Sequence, residues 1–380
     1  MIDSSERLLL ERAFQLAEKG GRATAPNPRV GCVIARNGEV VGEGWHQRLG
    51  ESHAEAQALG AAGERARGAT AFVSLEPCAH EGRTPPCTRA IVAAGVVRVV
   101  LGLVDPDQRV AGRGVAALRE AGIEVEIAQG DLAAEAERLL EEYLVHRREG
   151  RSFALLKCAA SLDGRIADRE GCSRWITGAA ARRHGRRLRE RYGAILVGSE
   201  TVLTDDPLLL PPNSVEEGGL FLRCVLDSTL RTPPTARLLR DVARVPLLLF
   251  TKPDAPADRR QRLEDAGAEV VSCAPGEGGL APRAVLEELA RRGVLGVVVE
   301  GGGRVHGAFL VAGLADKLHW YLSPKIIGDP AARPSVDWGG GSLADAFRGR
   351  IARIERLEED LLLTVYPPTR GGAGGAVERI

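Results

Sequence analysis

Four residues in the first quarter of the chain have the types and order of a hydrolytic metal site: His53, Glu55, Cys78 behind Pro77, and Cys87. One imidazole and two thiolates are three ligands suited to Zn2+, and a catalytic zinc keeps its fourth position for water. Zinc lowers the pKa of that water enough to supply hydroxide near neutrality. A carboxylate that is not a ligand must then take the proton and hand it to the leaving group, and Glu55 fits that role.

Each feature also has a blander reading. Ser52-His53-Ala54-Glu55 has the form of a capping box at the head of a helix running towards Ala61, and cysteines in α/β cores are often inert apolar residues. The set in order, each member beside a helix start, is what points to a site. Cys87 falls just ahead of a helix expected from about Thr88 to Ala94, where the dipole favours a thiolate. His80 offers a fourth ligand, but a closed site would leave Glu55 no water to activate, so one open zinc per chain is expected. Zinc nucleobase deaminases carry the order H-x-E…P-C-x-x-C, from which this chain departs in having its cysteines nine positions apart.

A second constellation lies downstream. Val297-Val298-Val299-Glu300-Gly301-Gly302-Gly303 is a buried-type strand breaking into glycines ahead of a helix, where backbone N–H groups approach an anion closely. It is neither G-x-G-x-x-G nor a Walker A loop, so alone it is equally a plain strand-to-helix turn. The same half carries Lys157 to Arg165, Ser173-Arg174-Trp175-Ile176-Thr177, and Thr201 to Pro207 with its paired Asp205-Asp206.

The elements that must position these residues follow from periodicity. In the first 150 residues a helix over Ser5 to Lys19 precedes two strands, Val30–Ala35 and Val40–Gly44, that flank the hairpin pair Asn37-Gly38. Strands at Ala71–Leu75, Val97–Leu103 and Glu124–Ala128 alternate with helices, the last near Leu132–Arg148, which predicts a three-layer α/β/α domain. The polar run His146 to Arg151 marks a boundary, giving domains 1–148 and 149–368. The second reads as α/β, with strands at 153–159, 194–197, 222–227, 246–250, 269–272, 296–300 and 319–323, helices between them, and a final hairpin over 351–357 and 361–366. The glycine-rich residues 369–380 read as a disordered tail.

The length of 380 residues predicts two or three domains, and 44% apolar with 27% charged residues excludes wholesale disorder. Basic and acidic residues both number 51, which argues against holding nucleic acid or anionic lipid by bulk charge. The neutral total hides an acidic first part, 18 basic and 22 acidic groups in residues 1–150, and a basic remainder with 33 and 29. Seven scattered cysteines, no signal peptide and no long apolar run predict a cytoplasmic protein with reduced thiols. A count of 46 arginines against five lysines ties to no function.

The segment Pro77-Cys78-Ala79-His80-Glu81-Gly82-Arg83-Thr84-Pro85-Pro86-Cys87 decides among families. With Asn27-Pro28-Arg29-Val30-Gly31, Gly42-Glu43-Gly44-Trp45-His46 and Val110-Ala111-Gly112-Arg113-Gly114, it closely resembles the bifunctional riboflavin-biosynthesis deaminase/reductase, whose cysteines have this longer spacing. The resemblance implies a cytidine-deaminase-like domain that hydrolytically removes the 2-amino group of a diaminopyrimidinone ribosyl phosphate. His53, Cys78 and Cys87 would bind zinc, Glu55 would shuttle the proton, and Asn27 and the Gly82-Arg83-Thr84 loop would line the substrate site. The C-terminal motifs resemble the family's dihydrofolate-reductase-like domain, which implies NADPH reduction of the ribosyl group to ribityl. Ala159, Trp175, Thr201, Asp205 and Ser228 would contact the cofactor, with Gly302, Gly303, Arg304 and Val305 around its phosphates; Ser173, Arg189, Leu209 and Glu300 would contact the substrate. Partners would be the phosphorylated pyrimidine and further copies of the chain, with no nucleic acid and no membrane. One departure stands out: where the family carries an arginine that helps grip the substrate phosphate, this chain has Pro212. The alternative reading is therefore a deaminase with a weakened or degenerate reductase domain.

Overall fold

The computed structural model describes residues 2–81, 85–107, 110–212, 218–276, 279–339 and 341–368. The 369–380 segment and the Gly82-Arg83-Thr84 loop lie outside the described residues.

Helix α1 (Ser4–Glu18) leads into the hairpin β1 (Gly31–Arg36) and β2 (Glu39–Trp45), followed by α2 (Ala54–Ala62), β3 (Thr70–Val73), α3 (Cys87–Ala93), β4 (Arg98–Leu101), α4 (Arg113–Glu120), β5 (Glu124–Ile127) and α5 (Gly130–Glu149). The hairpin turn has positive φ at both Asn37 and Gly38 (53° and 83°), the left-handed pair that a tight two-residue loop needs. The five strands run in the order β2-β1-β3-β4-β5, with β3, β4 and β5 parallel.

Apolar residues alternate along the strands and therefore feed two cores. Val33, Phe72 and Val100 pack with Leu10 and Phe14 of α1 and Leu139 and Leu140 of α5. Ile34, Ala71 and Val99 pack on the other face with Ala58 of α2, Ile91 of α3 and Leu118 of α4. This is the three-layer arrangement the periodicity predicts.

The second sheet has nine strands: β6 (Phe153–Ala160), β8 (Ala194–Gly198), β9 (Leu222–Leu226), β10 (Leu247–Thr251), β11 (Glu269–Ser272), β14 (Gly296–Val299), β15 (Lys317–Leu322), β17 (Arg350–Leu357) and β18 (Asp360–Tyr366). Shorter pairs, β7 (Arg165–Ala167) with β16 (Arg333–Pro334) and β12 (Pro275–Gly276) with β13 (Gly279–Leu280), lie outside it. The order β11-β10-β9-β8-β14-β6-β15 is parallel throughout, and the hairpin β18-β17 is added antiparallel. Helices α6 (Ala179–Arg191), α7 (Ser199–Asp205), α8 (Ala257–Asp265), α9 (Pro282–Arg291) and α10 (Gly303–Val311) complete the domain. Leu263 of α8 and Val202 of α7 cover one face, and Leu286 of α9 and Phe309 of α10 the other. Periodicity missed α7: seven residues with three β-branched side chains and two buried positions are too short to show a helical period.

The two sheets meet across α5. Its Glu142 pairs with Arg29 (3.2 Å) and Arg191 (2.8 Å), and its Glu141 with Lys317 and the Tyr366 hydroxyl (both 2.8 Å).

Candidate active sites

The capping box suggested at Ser52 and Glu55 does not form. His53 is itself the N-cap of α2 and makes no side-chain capping bond, whereas a true box caps α1 through Asp3 and Glu6. Being at the cap sends the His53 ring away from the helix axis towards the cysteines. Glu55 in the first turn is buried and within hydrogen-bonding reach of Cys87.

Cys78 lies in the loop that leaves β3 at Val73, and Cys87 is the first residue of α3 behind Pro86, with the Cys87 N–H donating to Cys78 Sγ at 3.4 Å. His53 Nδ1 lies 3.3 Å from Cys87 Sγ and 3.7 Å from Cys78 Sγ, and the three ligand atoms fall within 4.8 Å of one another. Tetrahedral zinc with ordinary bond lengths puts a nitrogen and a sulfur ligand roughly 3.6 Å apart, so the observed distances bracket what the ion requires. The residues fit the metal. His80 is exposed and takes no part in the cluster, which leaves a three-ligand site with a free position.

The electrostatics agree. The hydrogen bond from Cys87 draws the Cys78 thiol down to about 4, assisted by His53, while the same bond raises Cys87. His53 is raised by its bond to Cys78. Burial, together with the negative charge on Cys78, pushes the Glu55 carboxyl up to about 7, suited to passing a proton near neutrality.

Around this cluster Asn27 Nδ2 meets His46 Nε2 at 3.3 Å, and the His46 ring stands edge-on to His53 with centroids 5.3 Å apart. His46 is a site residue that motif reading alone had given no role. The Val110 to Gly114 motif has a structural explanation: buried Glu76, two residues before Cys78, accepts from the N–H groups of Asp105, Gly112 and Val115 at 3.0–3.1 Å. A Cβ on Gly114 would stand 2.1 Å from the Pro77 carbonyl. Arg83 is outside the described residues.

The second group lies along the carboxyl ends of the parallel strands. Glu300, just past β14, receives a two-armed contact from Arg189 of α6, with Nε and Nη2 both at 3.2 Å, and Lys157 of β6 stands 3.8 Å away. Burial pushes the Glu300 carboxyl up, but Arg189 and Lys157 together outweigh it and leave it below its ordinary value. Arg189 Nη1 also donates to the Leu210 carbonyl at 2.9 Å. The fork expected to meet a phosphate is thus closed on Glu300. Lys157 is a site residue that the sequence motif gives no role; its ammonium sits over the Tyr321 ring at 5.7 Å, and Gly185 leaves room for its chain, since a Cβ there would approach Lys157 Cε to 3.2 Å.

Gly302 is the N-cap of α10, and a Cβ on it would meet nothing within 4 Å, so its backbone faces open space. Its neighbours are glycines for packing: a Cβ on Gly301 would strike Val305 at 2.5 Å, and one on Gly303 the Pro334 carbonyl at 2.6 Å. At the head of α10 the Val305 N–H returns to the Gly302 carbonyl (2.9 Å), which leaves the first-turn N–H groups of Gly303 and Arg304 suited to the phosphates of a dinucleotide. Thr201 and Asp205 lie on α7, Ser228 beyond β9 and Ala159 on β6. Trp175 is exposed under the Arg182 guanidinium (4.3 Å), and Ser173 is half-buried just ahead of it. Leu209 has a left-handed backbone (φ 55°) and a side chain buried with Ile195 and Val225, so only its main chain is free to meet a ligand.

A family model described as the cytidine and deoxycytidylate deaminase zinc-binding region matches residues 3–103, and one described as the RibD C-terminal domain matches residues 152–363. Riboflavin biosynthesis protein RibD of Bacillus amyloliquefaciens is 39% identical over 366 residues, covering 95% of this chain and 96% of that protein. The chain belongs to the RibD family. RibD of Escherichia coli is 40% identical over 368 residues, with 93% and 97% coverage. Among solved structures, RibD of Acinetobacter baumannii superposes with a TM-score of 0.85 at 37% identity, covering 96% of this chain and 99% of that one. A Thermotoga maritima diaminohydroxyphosphoribosylaminopyrimidine deaminase/5-amino-6-(5-phosphoribosylamino)uracil reductase gives 0.84 at 31% identity with the same coverage. The RibD pairing of a cytidine-deaminase-like domain with a dihydrofolate-reductase-like one accounts for both sheets. No helix among the described residues is long and apolar enough to cross a membrane.

Proposed function

We infer that this protein is a bifunctional enzyme of riboflavin biosynthesis. Its first domain hydrolytically deaminates 2,5-diamino-6-ribosylamino-4(3H)-pyrimidinone 5′-phosphate, and its second uses NADPH to reduce the ribosyl chain of the product to ribityl. The observation that carries the reading is the buried Glu55 carboxyl set against the His53, Cys78 and Cys87 cluster, in a chain that also holds the complete second sheet. The degenerate alternative rests on Pro212 alone.

Zinc held by His53, Cys78 and Cys87 supplies a Lewis acid that makes water a nucleophile near neutral pH. Glu55 takes the proton released as water adds to the ring carbon, then returns it to the departing amino group, which leaves as ammonia. Burial keeps that proton from bulk solvent. Asn27 and His46 line the approach to the ring, and Arg83 supplies a cation for the phosphate.

Bound NADPH would supply a hydride to the sugar carbon bonded to nitrogen, and the proton that the sugar ring oxygen takes up would come from solvent. Glu300, kept ionised by Arg189 and Lys157, accepts hydrogen bonds from sugar hydroxyls and orients that carbon. Gly302 to Val305 hold the cofactor's phosphates, Ala159, Trp175, Thr201, Asp205 and Ser228 its remaining length, and Ser173, Leu209 and Arg189 the substrate. Domains of 1–148 and 149–368, a cytoplasmic location and a homo-oligomer complete the proposal.

Purified protein given the diaminopyrimidinone nucleotide and NADPH should release ammonia and oxidise NADPH. Ammonia release without oxidation eliminates the bifunctional reading.

A further inference from the structure

Only five of the chain's 51 basic residues are lysines. Four have partners: Lys19 lies 4.6 Å over the Trp45 ring, Lys157 3.8 Å from Glu300, Lys317 2.8 Å from Glu141, and Lys325 2.6 Å from the Trp175 carbonyl. Lys252 is the remaining one, half-buried, with no side-chain partner among the described residues. Its main-chain N–H donates to the Ser228 carbonyl at 3.4 Å, and the Thr251 hydroxyl reaches the same oxygen at 3.2 Å. Lys252 follows β10 just as Ser228 follows β9, on neighbouring parallel strands.

In an open parallel sheet, ligands bind outside the carboxyl ends of the strands. Along that edge the order β6, β14, β8, β9, β10 carries in turn Ala159, Gly302 to Val305, Thr201, Ser228 and Lys252. Four intervals of about 4.8 Å make roughly 19 Å of edge along which an extended dinucleotide can lie. With its hydride-donating ring beside Glu300, between the ends of β14 and β6, an extended cofactor would carry its adenosine ribose towards β9 and β10.

The chemistry at that far end selects a phosphate over a hydroxyl. An acidic side chain placed to accept from a free ribose 2′-hydroxyl favours NAD. Here Asp227, next to Ser228, is turned inward and buried, accepting from Arg231 N–H (2.9 Å), Thr232 N–H and the Thr232 hydroxyl (both 2.7 Å). Beside it Ser228 and Lys252 are both half-buried at the carboxyl edge of the sheet, and they bring a hydroxyl and an ammonium to this turn. Arg259, which donates to the Thr229 carbonyl at 3.1 Å, adds positive charge on the other flank.

We propose that Lys252, together with Ser228, grips the 2′-phosphate of NADPH and sets the preference of this reductase for NADPH over NADH. The inference rests on the cofactor reading above and adds the residue that discriminates.

The test is calorimetric binding of 2′,5′-ADP and 5′-AMP to the full-length protein and to its Lys252→Ala and Lys252→Arg variants. Loss of one charge-assisted contact should weaken 2′,5′-ADP roughly ten- to a hundredfold in Lys252→Ala. Binding of 5′-AMP should change by less than about threefold, which also reports that the variant is folded, and Lys252→Arg should recover most of the lost affinity. Unchanged 2′,5′-ADP affinity in Lys252→Ala, or an equal loss for both nucleotides, overturns the assignment of Lys252. Wild-type protein that binds neither NADPH nor 2′,5′-ADP overturns the cofactor reading itself, and this inference with it.

Discussion

The deaminase site draws its chemistry from two short segments, His53 to Glu55 and Cys78 to Cys87, and gathers three ligand atoms within 4.8 Å. The residues proposed for the reductase site are set out one strand end after another along a nine-stranded sheet, from Ala159 on β6 to Ser228 beyond β9. In the first, negative groups converge on a place for a cation; in the second, Arg189 and Lys157 converge on one carboxylate, Glu300. A compact site concentrates its function in a few side chains, whereas an extended one distributes binding over many contacts of modest worth. Single substitutions should therefore be nearly all-or-none in the first and graded in the second.

The largest effect is expected from Glu55→Gln, which keeps the ligands but removes the group that carries the proton. Ammonia release should fall by about 10²–10⁴-fold or more, with bound zinc still near one per chain by elemental analysis. NADPH oxidation, assayed with 5-amino-6-(5-phosphoribosylamino)uracil, should be unchanged. Normal ammonia turnover in this variant would assign the proton to another group. Removing zinc with a chelator, or by Cys87→Ser, should likewise abolish deamination and spare reduction, because the two sites sit on separate sheets with separate cores. A parallel fall in NADPH oxidation would mean that the sites are coupled.

What links the two regions is the buried network on α5. Arg29 and Glu142 are each only 7% exposed, and Arg191 reaches the same carboxylate. Glu142→Gln leaves two guanidiniums facing a neutral amide, and truncating one partner of a buried ion pair costs about 3–5 kcal/mol. Thermal unfolding should shift down accordingly. A variant as stable as the parent would show that the domains do not depend on this contact.

The pattern of what could be read from the sequence follows the same contrast. Elements long enough to repeat their period, such as α1, the Asn37-Gly38 hairpin and α5, fall within a residue or two of expectation. The clustering of His53, Cys78 and Cys87 was legible because ligand chemistry is local and His, Glu and Cys in order have few other uses. Ser52-x-x-Glu55 misled because the same letters serve a cap and a site; here the cysteines hold His53 and Glu55, and Ser52 caps nothing. Lys157 and Glu300 lie 143 positions apart in sequence and meet only because β14 pairs with β6, a neighbour relation that no local pattern encodes. The order of strands along the carboxyl edge, and hence any residue placed by it, is equally hidden.

The reductase pH profile gives a finer probe of the extended site. Arg189 and Lys157 lower the Glu300 carboxyl against burial, so the stabilisation from this cluster is present above the ordinary carboxylate range and is lost as pH falls through the lowered folded value. Arg189→Ala removes the nearer cation while burial remains, so Glu300 should protonate at higher pH than in the parent. The acid limb of kcat for NADPH oxidation should move upward accordingly. A limb that stays in place would mean that the ionisation of Glu300 does not govern the step.

The smallest expected effect concerns Pro212, which is exposed where the family resemblance calls for a phosphate-gripping arginine. Arg189 is a poor substitute in the observed arrangement, since Nε and Nη2 face Glu300 and Nη1 faces the Leu210 carbonyl. Arg223, the other guanidinium at this loop, is likewise turned inward, donating to the carbonyls of Leu208 and Val245. If neither releases its partner for the substrate, Pro212→Arg supplies a missing charge-assisted contact, worth at most about 1.5–3 kcal/mol and less at an exposed position. The KM for the phosphoribosylaminouracil should then fall several-fold with little change in kcat, because a contact to a remote phosphate binds ground and transition states alike. An unchanged KM would show that Arg189 does open towards the phosphate when substrate arrives, making Glu300 and the phosphate alternate partners of one guanidinium.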